Sequence, residues 1–442
     1  MKKIIVIGLG HGGLVAAKKL AEAGFNVEIL EKKAKEETGY PWEDDIRFDI
    51  FSRIDIPAPP EEMYCQKTQR CFIAPDLSAL PLPKGKPMED ISISRKGLLA
   101  HLASLAEQAG AVIRYQTPVE KLVILDDRVV GVKTADAVLP ADLVVDASGF
   151  LSQFRAQVPE LFGVQAEPAP DDRMEVYRAI HKKVPGTETP HPERHYYIRH
   201  RGGAGISWCN VNSHDEVDLL VGRIEKLPEE ERKASLADMK AINPTYSDEV
   251  VVPGRIVTIA LRSTIARMVA DGFALVGDSA FMTMPFMGSG LEASMLAGSL
   301  LAQTVIRKAD SKFTAADLWD YQVAYYQEQG ATYAFVDILK RWVLNLEPEK
   351  LNWLFGCGAV TPEDMLMVST DQNKESTLTP VSVLKKVGIL LHRPDIIGGA
   401  VATALRGVLE LLVAKSIPKH YRPLKIKLWQ KLYEGLVPHQ II

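Results

Sequence analysis

A glycine-rich turn near the start of the chain has the residue types and spacing of a dinucleotide-binding loop. The segment Gly8–Gly13, GLGHGG, matches the pattern G-x-G-x-x-G at its first, third and sixth positions. In such a turn the first glycine makes the sharp passage from strand to helix. The next lets the backbone approach a pyrophosphate, and the last lets the helix pack on the strand. The helix that follows presents free N–H groups to the phosphates.

An acidic residue stands where such a site binds ribose. Glu31 ends the second predicted strand, close to the usual ~20 residues after the first glycine. A carboxylate at this position hydrogen-bonds the ribose of an adenosine with a free 2′-hydroxyl, so the fingerprint favours FAD or NAD over NADP. It does not separate FAD from NAD.

A second motif lies much further along the chain. The apolar segment 273–276 predicts a buried strand that ends in Gly277 and Asp278. On its own, Asp278 is more simply explained as a turn or N-cap acid. The order and spacing of the two motifs favour a cofactor site, because an NAD-only enzyme has no need of a distant second motif. The residues that complete this motif are Pro285, Gly288 and Gly290, with a helix of small residues over 291–301.

The two motifs together resemble those of the flavoprotein group that contains aromatic hydroxylases and geranylgeranyl reductases. In that group the aspartate binds hydroxyl groups of FAD, and the Pro-x-x-Gly-x-Gly loop passes the flavin ring. The helix that begins after this loop is aimed at the ring, where its dipole favours negative charge. The resemblance therefore implies FAD as the cofactor. It implies these cofactor-binding residues: Gly8, Gly10, His11, Gly12, Gly13, Glu31, Lys32, Arg95, Val119, Ala147, Gly149, Gly277, Asp278, Pro285, Gly288, Gly290 and Leu291.

Within that group the chain is most similar to the geranylgeranyl reductase family, in motif order over residues 1–330. The segment 205–222 resembles that family's strand pair in the substrate domain, and it implies Trp208 and Cys209 as substrate-binding residues. Two segments depart from the family pattern. Residues 209–212 replace a phenylalanine-proline turn, and residues 39–45 replace a cysteine-glycine segment.

The resemblance implies an FAD-dependent reductase of C=C bonds in a bulky, apolar, isoprenoid-like substrate, with NAD(P)H or a reduced carrier as electron donor. The alternative is a flavin monooxygenase that uses NAD(P)H and O₂ to hydroxylate an aromatic compound. A third interpretation is a flavoprotein fold kept as a scaffold. A halogenase is disfavoured, because the motifs of that class are not visible.

No catalytic triad, nucleophile or metal-binding pattern is visible, and no metal site is predicted. The candidates for an acid role are Asp44, Asp45 and His214, and the catalytic group is otherwise unknown. The four cysteines show no Cys-x-x-Cys pair, which is typical of reduced thiols in a cytoplasmic protein. Arg155 is expected to be a solvated surface arginine.

Local patterns indicate the elements that must position these residues. Strand, helix and strand are predicted over 4–31, and a proline-rich, irregular excursion over 34–90. The predicted fold is α/β: a discontinuous Rossmann-like FAD-binding domain, an antiparallel-sheet (α+β) substrate domain and a helical C-terminal region. The FAD-binding domain is assigned to 1–60, 88–164 and 256–330, the substrate domain to 61–87 and 165–255, and the helical region to 331–442.

Composition argues against a nucleic-acid-binding protein and a membrane-spanning protein, and it leaves open the role of a basic C-terminal segment. The chain has 442 residues and a net charge of −4, which argues against a protein built to hold nucleic acid. The most apolar stretch, 396–414, contains Arg406 and Glu410, so a membrane-spanning helix is not expected. From Lys385 onward there are ten Lys/Arg against three acids. We expect an ordinary helical region with its apolar faces inward; the alternative is peripheral contact with anionic lipid.

Overall fold

The structure is a computed structural model that describes residues 1–67, 70–81, 90–191, 194–362, 364–365, 386 and 388–436. The strands are β1 Lys3–Ile7, β2 Asn26–Leu30, β3 Glu43–Arg47, β4 Tyr64–Gln66, β5 Arg70–Ile73, β6 Ala79–Pro81, β7 Asp90–Ser94, β8 Val112–Arg114, β9 Val119–Leu125, β10 Arg128–Thr134, β11 Val138–Pro140, β12 Leu143–Asp146, β13 Arg173–Lys183, β14 Arg194–Ile198, β15 Ile206–Val211, β16 Glu216–Ile224, β17 Tyr246–Ala260, β18 Val269–Ala270 and β19 Phe273–Leu275. The longer helices are α1 His11–Glu22, α2 Ile50–Arg53, α3 Arg95–Gln108, α4 Glu229–Ile242, α5 Leu291–Arg307, α6 Ala315–Tyr325, α7 Ala331–Asn345, α8 Pro348–Gly356, α9 Pro394–Lys415 and α10 Pro423–Leu436.

A six-stranded sheet in the order β18-β19-β12-β1-β2-β8 forms the centre of the fold. Its five strands from β19 to β8 are parallel, and β18 runs antiparallel at the edge. The middle strands are short runs of Ile, Val and Leu, with Ile4, Ile5 and Val6 wholly buried. Such apolar strands are typical of parallel sheets covered on both faces. Since β19 and β1 come from distant parts of the chain, the predicted discontinuous α/β fold is confirmed.

Two helices on the central sheet touch at glycines. A Cβ atom added to Gly298 in α5 would collide with the carbonyl oxygen of Gly12 in α1. A Cβ on Gly12 would in turn collide with the carbonyl oxygen of Ser294. Because neither glycine carries a side chain, the two helix backbones lie directly against each other, and their N-termini end on the same side of the sheet.

A second, seven-stranded sheet has the order β17-β13-β16-β15-β14-β5-β6 and is antiparallel except between β14 and β5. It confirms the predicted antiparallel sheet. The prediction of an irregular excursion over 34–90 is wrong, because this segment contains β3 to β6 and α2. These strands are only three to five residues long, and β3 reads Glu-Asp-Asp-Ile-Arg, so no apolar alternation marks them. They are held by β7 and β14, which are distant in sequence.

Helices α7 to α10 form the predicted helical C-terminal region. Tyr326 and Tyr433 donate hydrogen bonds to the backbone carbonyls of Ile265 and Thr264, at 2.9 Å each. Trp429 packs against both tyrosines, with ring centroids 5.2 Å from Tyr326 and 5.4 Å from Tyr433. The last helix therefore reaches into the core beside the segment that leads to β18.

The residue boundaries of the three predicted domains stay a prediction. Parts of all three, residues 68–69, 82–89, 192–193, 363, 366–385 (which includes Lys385), 387 and 437–442, lie outside the described residues.

A buried ionic cluster joins α7 to the segment before β13. Arg341 donates hydrogen bonds to Asp171 at 2.7 Å and to Asp172 at 2.9 Å, while Asp337 pairs with Lys340 at 2.7 Å. Burial alone would raise the pKa of Asp337, but the charges of Lys340 and Arg341 hold it well below its usual range. The cluster therefore stays ionised, and removing one partner would leave a buried charge uncompensated.

Glu410 in α9 is buried close to this cluster but takes no part in it. Neither of its carboxylate oxygens has a hydrogen-bond partner among the described residues. Burial raises its pKa to about 8, with Asp337 adding to the rise and Arg406 and Arg262 opposing it. Glu410 is therefore mainly protonated in the folded protein at neutral pH, whereas in the unfolded chain it is ionised above its ordinary pKa of 4.5.

We expect E410Q to stabilise the protein at alkaline pH. Because the folded state binds a proton that the unfolded state lacks, stability falls as the pH rises from the unfolded pKa of Glu410 to about 8. Glutamine removes this loss. Thermal melts should show a Tm gain for E410Q at pH 8 and almost none at pH 5. E107Q, on the exposed side of α3, is the control, and an equal gain at both pH values would contradict the interpretation.

Candidate functional site

A groove of about 590 Å³ runs over the carboxyl ends of the central strands. Its floor is bare backbone at the turn between β1 and α1. Gly8 has φ +86°, and a Cβ on Gly10 would lie 2.7 Å from the carbonyl oxygen of Ala147. The first N–H groups of α1 have no intrahelical partners and face this floor. The groove therefore has the shape and the donors that an extended phosphate-containing ligand needs.

Glu31 closes one end of the groove. Its two carboxylate oxygens accept hydrogen bonds from the backbone N–H groups of Leu9 and Lys33, both at 2.9 Å. These bonds fix the carboxylate at the end of β2, and each oxygen keeps a second lone pair. The arrangement leaves acceptors for ribose hydroxyls at the position that the sequence predicts.

The second motif closes the other end. Gly277 has φ +75° and makes the turn after β19, so that Asp278 faces the groove. Thr283 donates a hydrogen bond to Asp278 at 2.9 Å. Gly290 caps α5 without a side-chain hydrogen bond, which leaves the first N–H groups of α5 open towards the groove. Both ends predicted from sequence thus lie in one continuous groove.

His11 opens α1 and is buried in the groove wall. Burial lowers its pKa to about 3, with the charge of Arg95 adding to the effect and Asp44 opposing it. The ring is therefore neutral at physiological pH. Its Nε2 atom has no hydrogen-bond partner among the described residues. An orphaned buried nitrogen beside a row of free backbone N–H groups fits a site shaped for a bound polar molecule.

The turn after β12 supports the groove from below. Asp146 accepts hydrogen bonds from Ser148 and Ser152, and burial raises its pKa while these bonds oppose the rise. Arg155 is buried, not solvated as expected, and donates to the backbone carbonyls of Phe150 and Ser279. Its role is structural, because it ties the turn at 150 to the turn after β19.

An inner cavity of about 150 Å³ adjoins the groove where α5 begins. It lies between the small sheet of β3, β7 and β4 and the face of the seven-stranded sheet. The residues that line both spaces are Trp42, Arg95, Val257, Ile259, Gly288, Gly290 and Leu291. A molecule that fills the groove can therefore present one end to this cavity.

Asp44 links two arginines at the junction of the groove and the cavity. Arg95 and Arg178 donate hydrogen bonds to its two oxygens, at 2.8 and 2.7 Å. Arg178 also pairs with Asp218 and lies between the indole rings of Trp42 and Trp208, at 4.9 and 5.2 Å from their centroids. Burial would lower the pKa of Arg178, but Asp218 and Asp44 raise it, so the guanidinium stays charged.

Asp45 anchors a second charged group deeper in the cavity. It accepts a hydrogen bond from the Tyr196 hydroxyl at 3.1 Å and pairs with Arg194 at 3.1 Å. Burial would raise its pKa, but Arg194, Lys67 and Arg70 hold it below its usual value. Asp45 is therefore ionised at neutral pH, which favours an anchoring role over that of a proton donor.

The structure brings most of the predicted cofactor residues together and leaves a few outside. Lys32, Val119, Ala147 and Gly149 line the groove with the residues already described. Gly12, Gly13 and Gly277 serve close packing instead, since a Cβ on any of them would collide with a neighbour. Pro285 is buried and does not line the groove or the inner cavity.

Of the predicted substrate and acid residues, some line the inner cavity and others lie outside it. Trp208 lines the inner cavity, whereas Cys209 points to the opposite face of β15 and is buried in an apolar cluster with Cys71 and Tyr197. The structure thus gives Cys209 no contact with the cavity. His214 is exposed in the turn before β16 and also lies outside it, so neither residue is placed to act on a molecule there.

Sequence reasoning missed the residues that shape the inner cavity. Arg178, Arg194, Tyr196 and Asp218 lie on three strands of the seven-stranded sheet, and Trp42 precedes β3. The available signal was a charged residue with apolar neighbours on both sides in a strand, as at Arg178 and Asp218. Such a pattern predicts a buried polar group but not its partners, because these come from other strands.

Comparison with known proteins agrees with this geometry. The family model for FAD-dependent oxidoreductases matches residues 89–304. The chain is 22% identical to a digeranylgeranylglycerophospholipid reductase of Sulfolobus acidocaldarius, over 92% of each chain. It is 26% identical to a digeranylgeranylglycerophospholipid reductase of Methanopyrus kandleri, over 82% of this chain and 91% of the relative.

Solved structures share the fold. A geranylgeranyl bacteriochlorophyll reductase-like protein of Thermoplasma acidophilum superposes with a TM-score of 0.70 at 18% identity, over 90% of this chain and 99% of the other. The flavin-dependent brominase Bmp2 gives 0.65 at 16% identity, over 89% and 99%. At these identities the structures show the fold alone. The family match and the reductase relatives indicate that the chain is an FAD-dependent oxidoreductase similar to the geranylgeranyl reductases.

Proposed function

We propose that the chain is an FAD-dependent reductase that saturates C=C bonds in an isoprenoid-like substrate. The observation that carries the proposal is the continuity of the groove with the inner cavity at the start of α5. A cofactor in the groove would present its reactive end at that junction. The relatives named as digeranylgeranylglycerophospholipid reductases support the choice of substrate class.

The residues proposed to hold FAD divide along the groove. Glu31 would bind the adenosine ribose, and the backbone N–H groups at Gly10 and the start of α1 would bind the pyrophosphate. Asp278 would bind hydroxyl groups of the flavin half, and the start of α5 would favour negative charge on the flavin. Support comes from the bare backbone at Gly8 and Gly10, where a side chain would collide with neighbours.

Bound FAD supplies the electron pair for the reduction. The protein contributes a closed cavity, where the paired charges of Asp44, Arg95 and Arg178 fix the walls. Asp45 holds the Tyr196 hydroxyl and Arg194 in place and, being ionised, does not donate the proton that the product needs. Fixed dipoles and charges of this kind orient a substrate without rearranging during the reaction.

The electron donor and the source of the substrate complete the proposal. We assign electron supply to NAD(P)H or a reduced carrier. An isoprenoid chain attached to a lipid lies in a membrane, so we also assign the enzyme to peripheral contact with a bilayer. The basic C-terminal segment supports that contact.

One observation favours the second candidate, a flavin monooxygenase acting on a small aromatic compound. The inner cavity holds only about 150 Å³ and its walls carry many charged side chains. A space of that size suits a small polar molecule or one end of a long chain, but not a whole isoprenoid chain. The two candidates differ in their use of oxygen.

The reaction itself distinguishes them. Enzyme reduced with dithionite under anaerobic conditions should be reoxidised by digeranylgeranylglyceryl phosphate, and mass spectrometry should show two added hydrogen atoms for each double bond reduced. The saturated analogue is the control and should not reoxidise the flavin. If the prenyl lipid has no effect, while phenols trigger O₂ consumption with NAD(P)H, the monooxygenase is the correct assignment.

We expect E31A to weaken FAD binding about tenfold to hundredfold, because a hydrogen bond to a charged group contributes about 1.5–3 kcal/mol. Titration of apoprotein with FAD, followed by flavin fluorescence, measures the change. E22A is the matched control, since Glu22 is exposed at the end of α1. Equal FAD affinity in E31A and the wild type would remove Glu31 from the site.

We expect D44N to keep its flavin but to reduce the substrate at least tenfold more slowly. The substitution preserves the volume and removes the charge that pairs with Arg95 and Arg178. Flavin content and the rate of reoxidation by the prenyl lipid are measured together. D55N, at a fully exposed site, is the control. An unchanged rate would show that Asp44 does not act in turnover.

A further inference from the structure

Six leucines on the last two helices face outward. They are Leu405, Leu409 and Leu412 on α9 and Leu424, Leu428 and Leu432 on α10, here called the leucine face, and each is 48–85% exposed. Their spacing of three or four residues places each trio on one side of its helix. The expectation that this region packs its apolar faces inward is therefore wrong for these residues. A large apolar surface left exposed marks an interaction site.

The two helices are held in a fixed relation, so the leucine face does not result from a loose tail. Trp429 donates a hydrogen bond to the carbonyl of Val413 at 2.7 Å, and Arg406 donates one to the carbonyl of Leu436 at 2.6 Å. The opposite side of α9 packs on α7 at Gly407, where a Cβ would lie 3.0 Å from the ring of Phe335. The leucines therefore point away from the side of α9 that packs on α7.

Positive charge surrounds the leucine face. Seven exposed basic residues lie on or between the two helices: Arg406, Lys415, Lys419, Arg422, Lys425, Lys427 and Lys431. The acids of the same region do not balance them. Glu410 is buried and Asp395 is paired with Arg393 at 2.9 Å, which leaves the half-buried Glu434 as one acid against the seven basic residues. The exposed surface thus combines leucines with unbalanced lysines and arginines.

The geometry favours a helix lying on a membrane over one that crosses it. Helix α9, Pro394–Lys415, is long and apolar enough to span a bilayer, with 17% of its most apolar window buried in the protein. Its buried side is occupied by α7, and Glu410 lies on that side. Spanning would strip α9 from α7 and carry Glu410 and Arg406 into the lipid, at a high cost.

We propose that α9 and α10 lie in the surface of a bilayer that contains anionic lipids, with the leucine face among the acyl chains and the basic residues at the lipid phosphates. An amphipathic surface of this kind enters roughly 5–10 Å into the boundary between headgroups and chains. The proposal deepens the peripheral contact assigned above by naming its surface, and binding alone tests it, whichever substrate the protein reduces.

Vesicle flotation tests the proposal with the FAD-loaded full chain. Wild-type protein should float with vesicles that contain phosphatidylglycerol at low salt, and bind weakly to pure phosphatidylcholine. L405E/L428E should abolish binding, because it places charges in the acyl region. K425Q/K427Q/K431Q should bind about a hundredfold more weakly, since each of the three lysines near an anionic surface contributes about fivefold. High salt should weaken the wild type in the same direction.

Two controls separate the proposal from its competitors. L125E alters a leucine with similar exposure in the β9–β10 hairpin, and K233Q alters an exposed lysine in α4; both should bind like the wild type. Absence of wild-type binding at low salt, or binding that L405E/L428E leaves unchanged, would overturn the proposal. So would a vesicle-free dimer that L405E/L428E turns into a monomer, because the leucine face would then be covered by a second copy. If L405E/L428E loses its flavin, the lysine variant decides alone.

Discussion

The contact between α1 and α5 is the constraint on which the rest of the site depends. Gly12 and Gly298 let the two helix backbones touch, and no other residue could occupy either position without pushing the helices apart. The contact places two helix N-termini, from opposite ends of the FAD-binding segments, over one groove. The free N–H groups at the starts of both helices therefore face the same groove.

The inner cavity follows a different physical rule. Its walls come from β3, β7 and the seven-stranded sheet, and paired charges join them among apolar side chains. Each partner of a buried ion pair is costly to move, because the other charge would be left uncompensated. The groove thus offers backbone donors to an extended ligand, and the cavity beside it offers charged groups in fixed positions.

Local motifs were sufficient to predict the cofactor, the central sheet and the position of Glu31 at the end of β2, because the turn, the strand end and the helix start are all encoded within a few residues. The inner cavity was not predictable in this way. Arg178 meets Asp44 and Trp42 across more than a hundred residues of chain, and β3 has no apolar pattern of its own. The orientation of α9 was mispredicted because an apolar helix pattern does not say whether protein or solvent covers it.

Helix α10 supports the cofactor site through its aromatic contacts, although it lies far from that site in the sequence. Trp429 and Tyr433 fill the space beside Tyr326, and Tyr433 bonds the backbone of Thr264, a few residues before the strand that leads to Asp278. A chain that ends before residue 423 would lack Trp429 and Tyr433, which would leave a cavity beside Tyr326 and Thr264. The last helix therefore supports the segment that leads to the groove.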